Sequence, residues 1–156
     1  YYEMYDLGYN YRITDIQCAL GISQLNRINE SIERRRSIAS RYNDAFKGLY
    51  GVQVSVETEI ERSSYHLYVL QIDFEKIGKS RAGIMYELKR KGIGTQVHYV
   101  PVYLHPYYKE TLHCDSSNYP VTEMYYKRCL SLPIFPKMSG SEVNYITEHV
   151  GKILKV

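Results

Sequence analysis

The sequence has no tryptophan, three cysteines and five prolines, and no apolar stretch near the ~18 residues that a membrane-spanning helix needs. No signal peptide is visible, so the chain reads as soluble and cytoplasmic. The cysteines, Cys18, Cys114 and Cys129, are odd in number and lack C-x-x-C spacing. That argues against a zinc site or a disulfide framework and for reduced thiols. The five histidines, at 66, 98, 105, 113 and 149, show no ligand spacing such as H-x-x-x-H, and no metal is expected. A glycine loop for phosphates and a serine-nucleophile motif are also missing. Excess charge of one sign is absent too: 20 Lys and Arg face 17 Asp and Glu, a net +3. Such a mild balance does not suggest a nucleic-acid partner. The run Arg34-Arg35-Arg36 sits in a helical pattern with Glu30 and Glu33 and reads as a solvated helix face. Finally, the chain opens Tyr1-Tyr2-Glu3 with no initiator methionine, as a piece of a longer protein would.

What is present is ordinary in bulk and unusual in one respect. The 156 residues, 44% hydrophobic and 24% charged, suffice for one domain with a packed core. Eighteen of them are tyrosine. An apolar ring with a polar tip suits clefts and subunit interfaces.

Thr14-Asp15-Ile16-Gln17 has the pattern of a capping box, which predicts a helix start. Cys18, Ile22, Leu25, Ile28 and Ile32 follow at steps of four, three, three and four, and Ala39, Tyr42 and Phe46 continue the stripe to Gly48. Unbroken, this helix would be about 50 Å long and would outreach a compact domain, spanning between domains or packing on a partner. A break between Asn29 and Ser31 is the alternative. Val52, Val54 and Val56 alternate as a short strand, and Tyr65 to Phe74 reads as a longer one. Ser80 is placed to cap a helix through Lys91, with Ile84 and Leu88 inward and Gly92 as its stop. Gly94 to Val100 is expected to be a third extended segment, ended by Pro101. Pro106 and Pro120 each suit the first turn of a short helix. Ser139 and Glu142 form a second capping box, before Val143, Ile146, Val150 and Ile153 at helical spacing. The expected class is α+β: a long opening helix, a small sheet of about three strands and helices packed on it.

Two stretches could carry chemistry. Asn10 and Arg12 precede the helix capped by Thr14, and free amides at a helix start favour an anion such as phosphate. Alternatively, Asn10 closes a turn after Gly8 and Arg12 pairs with Asp15. The second stretch, Gln96 to Tyr108, sets hydrogen-bonding rings just after an extended segment, where prolines stop pairing. These rings could stack on a base or sugar, or merely pack a loop.

Three blocks, "LGYNYRITDIQCALGISQLNRINESIERRR", "GIGTQVHYVPVYLHPYY" and "LSLPIFPKMS", occur in this order along almost the whole chain. Together they resemble the C-terminal portion of DegT/StrS-family sugar aminotransferases, pyridoxal-phosphate (PLP) enzymes of aminotransferase fold type I. The second block is most similar to transaminases acting on UDP-linked 4-keto-6-deoxy-N-acetylhexosamines, those of pseudaminic acid synthesis among them. The resemblance implies that residues 1–47 are an interface segment and connecting helix, and 48–156 the small C-terminal domain. It implies a homodimer in which Asn10 binds the cofactor phosphate of the neighbouring subunit. Arg12, His98, Tyr99, Tyr103 and His105 become candidates for the sugar-nucleotide pocket, with glutamate as amino donor. The family's Schiff-base lysine belongs to an N-terminal large domain whose motifs this chain does not contain. Lys79, Lys89 and Lys91 read instead as solvated residues flanking a helix. The chain alone is therefore expected to be inactive, with no catalytic residue of its own. Two other readings stay open: a non-catalytic binding or regulatory module of the same family, and a nucleotide- or RNA-binding domain.

Overall fold

A computed structural model describes residues 6–9, 11–113 and 115–155, with Leu112 described by its backbone alone. The chain begins with two helices, α1 (Asp15–Leu25) and α2 (Ile28–Phe46). Strands β1 (Val52–Gln53) and β2 (Tyr68–Ile72) follow, then α3 (Arg81–Arg90). Short helices α4 (Pro106–Leu112) and α5 (Pro120–Arg128), strand β3 (Cys129–Leu132) and α6 (Gly140–Leu154) complete the order. The sheet is antiparallel in the order β1-β2-β3, with Val52 opposite Ile72 and Leu70 opposite Leu130. A mixed α+β architecture is thus present, as the pattern of elements predicts.

Local chemistry starts and stops these helices. Thr14 accepts the amide of Gln17, whose side chain bonds the Thr14 amide in return, so the expected capping box begins α1. Ser80 accepts the Gly83 amide at the start of α3, and Ser139 and Glu142 form the second capping box at α6. Pro106 and Pro120 occupy first-turn positions in α4 and α5. Gly92 takes φ +73° just past α3, a conformation that costs glycine little and other residues more.

One core joins α2, α3, α6 and the sheet. Along β2, Tyr68, Leu70 and Ile72 are buried, while Val69 and Gln71 between them are half-exposed. Ile38, Ala39, Tyr42 and Phe46 of α2 meet Val143, Ile146, Val150 and Leu154 of α6 in this core. Each fully buried large side chain stabilises the fold by about 1.5–3 kcal/mol. The buried tyrosines keep their hydroxyls paired: Tyr42 donates to the Pro133 carbonyl at 2.9 Å and Tyr68 to Asn43 Oδ1 at 2.7 Å.

Several expectations are corrected. The opening helix is broken, and three residues earlier than the alternative placed it: Asn26 ends α1 with αR geometry, and Arg27 (φ −113°, ψ 7°) leaves the helical region. The Arg27 amide turns back to the Gln24 carbonyl, and the Arg27 carbonyl, at the N-cap of α2, accepts the amide of Ser31. Gly94 to Val100 is not a third strand: Gln96 alone bridges, to Ser131. Pro101 and the glycines at 92 and 94 leave little room for a ladder. The third strand is β3, which is buried at all four positions and so lacks the alternation by which a half-buried strand is read. The first two strands are shorter than expected, because Val54, Val56 and Tyr65 to Leu67 lie outside the ladder. Ile153 only packs against the core from its edge, and Leu154 takes the buried position.

The three consecutive arginines do not form a solvated face. Arg34 donates to the Met138 carbonyl at 2.6 Å, and Arg35 to the carbonyls of Tyr65, His66 and Ile134. Arg36 forms two bonds to the Glu57 carboxylate, at 2.7 and 2.9 Å, and a third to the Ser63 carbonyl. They staple irregular loops onto α2. Bidentate pairs of this kind are the stronger class of charged hydrogen bond. Arg36 in turn holds the Glu57 carboxyl below its ordinary range, helped by the Ser63 amide.

Candidate functional site

The arm before α1 is open to solvent. Tyr9, Tyr11 and Ile13 are exposed, and the two tyrosine rings lie 5.5 Å apart. Asn10, the expected phosphate ligand, lies outside the described residues, as does Cys114. Arg12 is exposed and has no hydrogen bond or ion pair among the described residues, so the Asp15 pairing is not formed. Since the cap engages the amide of Gln17, those of Asp15 and Ile16 remain without a helical partner. An anion approaching here would meet these amides and the Arg12 guanidinium, opposed by the Asp15 carboxylate. Helix α1 itself buries nothing: Ile16, Leu20, Ile22 and Leu25 are each more than 60% exposed. Contiguous apolar surface of this kind marks an interaction face.

The second constellation follows the Gln96 bridge. Gln96 and Ser131 exchange both backbone hydrogen bonds, at 3.2 and 2.8 Å. Two residues on, His98 Nδ1 lies 2.8 Å from Ser131 Oγ. The His98 ring is half-buried and meets the Tyr99 ring edge to face, with centroids 4.5 Å apart. Tyr99 is 68% exposed, so its ring is available to a ligand.

Tyr103 occupies a short 3-10 turn, Val102–Leu104, and points its hydroxyl at Glu123 Oε1 of α5, 2.9 Å away. Its ring stacks on Tyr119 at 4.8 Å and an interplanar angle of 20°. Desolvation, then the hydrogen bond to the Glu123 carboxylate, push the Tyr103 phenol up to about 12. It therefore stays a neutral donor across the physiological range. His105 is exposed at the N-cap position of α4 without capping it by its side chain.

The structure thus brings His98 and Tyr99 together and anchors Tyr103 to α5. Arg12 shares no hydrogen bond, ion pair or ring contact with any of them. Sequence reasoning missed Ser131, Tyr119 and Glu123. Ser131 was the most legible of these, as the single polar residue inside Cys129–Leu132 and part of the "LSLPIFPKMS" block.

The chemistry available here is binding rather than bond-breaking. Burial pushes the Cys129 thiol up, away from the reactive thiolate. Lys79, expected to be solvated, donates instead to the Ile153 carbonyl. Among the described residues no three His, Cys, Asp or Glu side chains converge to hold a metal ion, and no helix is long and apolar enough to cross a membrane.

Comparison with known proteins supplies the context. Residues 1–151 match the DegT/DnrJ/EryC1/StrS aminotransferase family. Over 156 residues the chain is 40% identical to the spore coat polysaccharide biosynthesis protein SpsC of Bacillus subtilis, covering 99% of this chain and 40% of SpsC. It superposes on Helicobacter pylori PseC, an aminotransferase involved in the biosynthesis of pseudaminic acid, with a TM-score of 0.88 at 28% identity. That match covers 97% of this chain and 40% of PseC. The putative sugar aminotransferase Spr1654 of Streptococcus pneumoniae, in its PMP form, is 34% identical with a TM-score of 0.81, covering 91% of this chain and 35% of that one. Spr1654 is also known in a PLP form. The chain spans about 40% of the length of these relatives. On the extent of the family match, and on the relatives' agreement in sequence and fold, the chain belongs to the DegT/DnrJ/EryC1/StrS aminotransferase family.

Proposed function

We propose that the intact protein is a PLP-dependent aminotransferase that moves an amino group from glutamate to a UDP-linked 4-keto-6-deoxy sugar. In this reading it acts as a homodimer, and this chain contributes contacts to the partner's active site. The observation that carries the reading is Arg12, which has no hydrogen bond or ion pair among the described residues and stands just before the open first turn of α1, a helix that buries no residue and leaves Ile16, Leu20, Ile22 and Leu25 exposed. Such a helix is built to be covered by protein, and covering it delivers Arg12 and the neighbouring amides to an anion. The cofactor phosphate or the diphosphate of the sugar nucleotide fits that role, with Asn10 as a further phosphate ligand.

PLP, when bound, supplies the electron sink that amino transfer needs. This chain's residues bind and orient. Arg12 neutralises phosphate charge, as guanidinium groups do in bidentate fashion. His98 and the exposed Tyr99 ring hold the sugar, while Tyr103, fixed by Glu123 and Tyr119, walls the pocket. His105, at the start of α4, lies at its outer edge. Residues 1–47 then form the interface segment and connecting helix and 48–156 the small domain, with the C-terminal half of α2 packed into the latter. A large domain outside this chain provides the lysine that anchors the cofactor.

The test is direct. The intact protein, given PLP, glutamate and a panel of UDP-linked 4-keto-6-deoxy sugars, should yield a 4-amino sugar, and the 156-residue chain alone should not. Arg12→Ala should raise KM for the sugar nucleotide or weaken PLP retention by roughly tenfold, the loss of one charged hydrogen bond. No conversion of any keto sugar by the PLP-loaded intact protein would sink the proposal.

A further inference from the structure

Ser131 is the one buried polar residue among the described residues, at 4% exposure, and its main chain is engaged with Gln96. The Oγ atom has a single hydrogen-bond partner among the described residues, Nδ1 of His98 at 2.8 Å. A hydroxyl both donates and accepts, but its hydrogen is satisfied only by donation. If Nδ1 carried the proton, Ser131 would accept it, and the serine hydrogen would point at nothing in a buried setting. Buried polar hydrogens left in that state are rare in folded proteins. The proton assignment follows from this network, since heavy-atom positions alone do not give it.

We infer that Ser131 is a positioning residue: it donates to Nδ1 of His98 and so holds the neutral ring in the tautomer that carries hydrogen on Nε2. His98 then meets its ligand as a hydrogen-bond donor, complementary to a phosphoryl, hydroxyl or carbonyl oxygen. In this state its Nε2 cannot accept a proton from substrate. The contact with Tyr99 restrains the ring from a second side. Two motif blocks of the sequence, one covering the loop between α3 and α4 and one that includes most of β3, are thereby joined through a single side-chain bond spanning 33 positions. The inference rests on the reading that His98 faces the sugar nucleotide.

The experiment is heteronuclear NMR of the intact protein labelled with nitrogen-15 histidine, at alkaline pH where imidazole is neutral. His98 should show a protonated Nε2 and a bare Nδ1. In Ser131→Ala the two tautomers should mix, and in Ser131→Thr, which keeps the hydroxyl on a β-branched residue suited to a strand, the single tautomer should persist. Calorimetry with the UDP-linked 4-amino sugar should show binding roughly three- to tenfold weaker in Ser131→Ala and within about twofold of wild type in Ser131→Thr. A proton on Nδ1 in the wild type, or an unchanged His98 spectrum in Ser131→Ala, overturns the inference. His98→Ala separates the two readings: unaltered sugar-nucleotide binding in that variant defeats the substrate role of His98 and leaves the tautomer result standing.

Discussion

Helices α1 and α6 begin with the same device and end in opposite environments. Thr14 with Gln17 and Ser139 with Glu142 close equivalent capping boxes. Yet α6 buries Val143, Ile146, Val150 and Leu154, whereas α1 buries no residue. Capping chemistry is local and places a helix start wherever the residues allow; it is indifferent to what the helix later meets. Burial depends on partners, and among the described residues those that cover α6 have no counterpart burying any side chain of α1. The broken opening helix marks the border, since residues after Arg27 are pinned to the core and loops by Arg34, Arg35 and Arg36.

Core truncation should separate the two helices most. Ile146→Ala is expected to destabilise the chain by about 2–5 kcal/mol, as a buried isoleucine leaving a cavity does. Leu20→Ala should cost within about 0.5 kcal/mol, the surface value. Urea unfolding of both variants checks this, and equal losses would mean that α1 is packed after all. Next in size, Ser139→Ala should lower global stability by about 1 kcal/mol. Thr14→Ala should instead speed amide exchange in α1 alone and leave the urea midpoint in place. The smallest effect concerns the border itself. Arg36 holds the Glu57 carboxyl below its ordinary value of 4.5, so this pair's stabilisation is present above that value and is lost as pH falls through the lower folded-state value. Glu57→Gln should flatten that part of the acid-unfolding curve; an unchanged acid limb would show that the staple contributes nothing measurable.

Much of the fold was legible because its signals are short-ranged. The two capping boxes, the prolines at helix starts and Gly92 after α3 each act within one turn, and each appears where its residues predict. What escaped depends on partners distant in sequence. Asn26 and Arg27 are weak breakers inside an uninterrupted apolar stripe, so the spacing alone concealed the break. Strand β3 hid because burial on both faces erases alternation. The arginine cluster was misread because its acceptors, backbone carbonyls and the Glu57 carboxylate, are distant in sequence, one of them 104 positions away. At the site, His98 and Tyr99 are adjacent in a recognisable block, but Ser131 and Glu123 reach it only through the fold. A polar residue inside an otherwise apolar four-residue run was the clue to Ser131.

The break between α1 and α2 also has a geometric side. Eleven helical residues make a rod about 16 Å long, so a change of about 10° at its base displaces its far end by roughly 3 Å. That is the span of one hydrogen bond. The backbone torsions of Asn26 and Arg27 therefore act as the fulcrum of a lever, and under the function proposed above they would set whether the Arg12 guanidinium arrives within bonding range of a phosphate or just short of it.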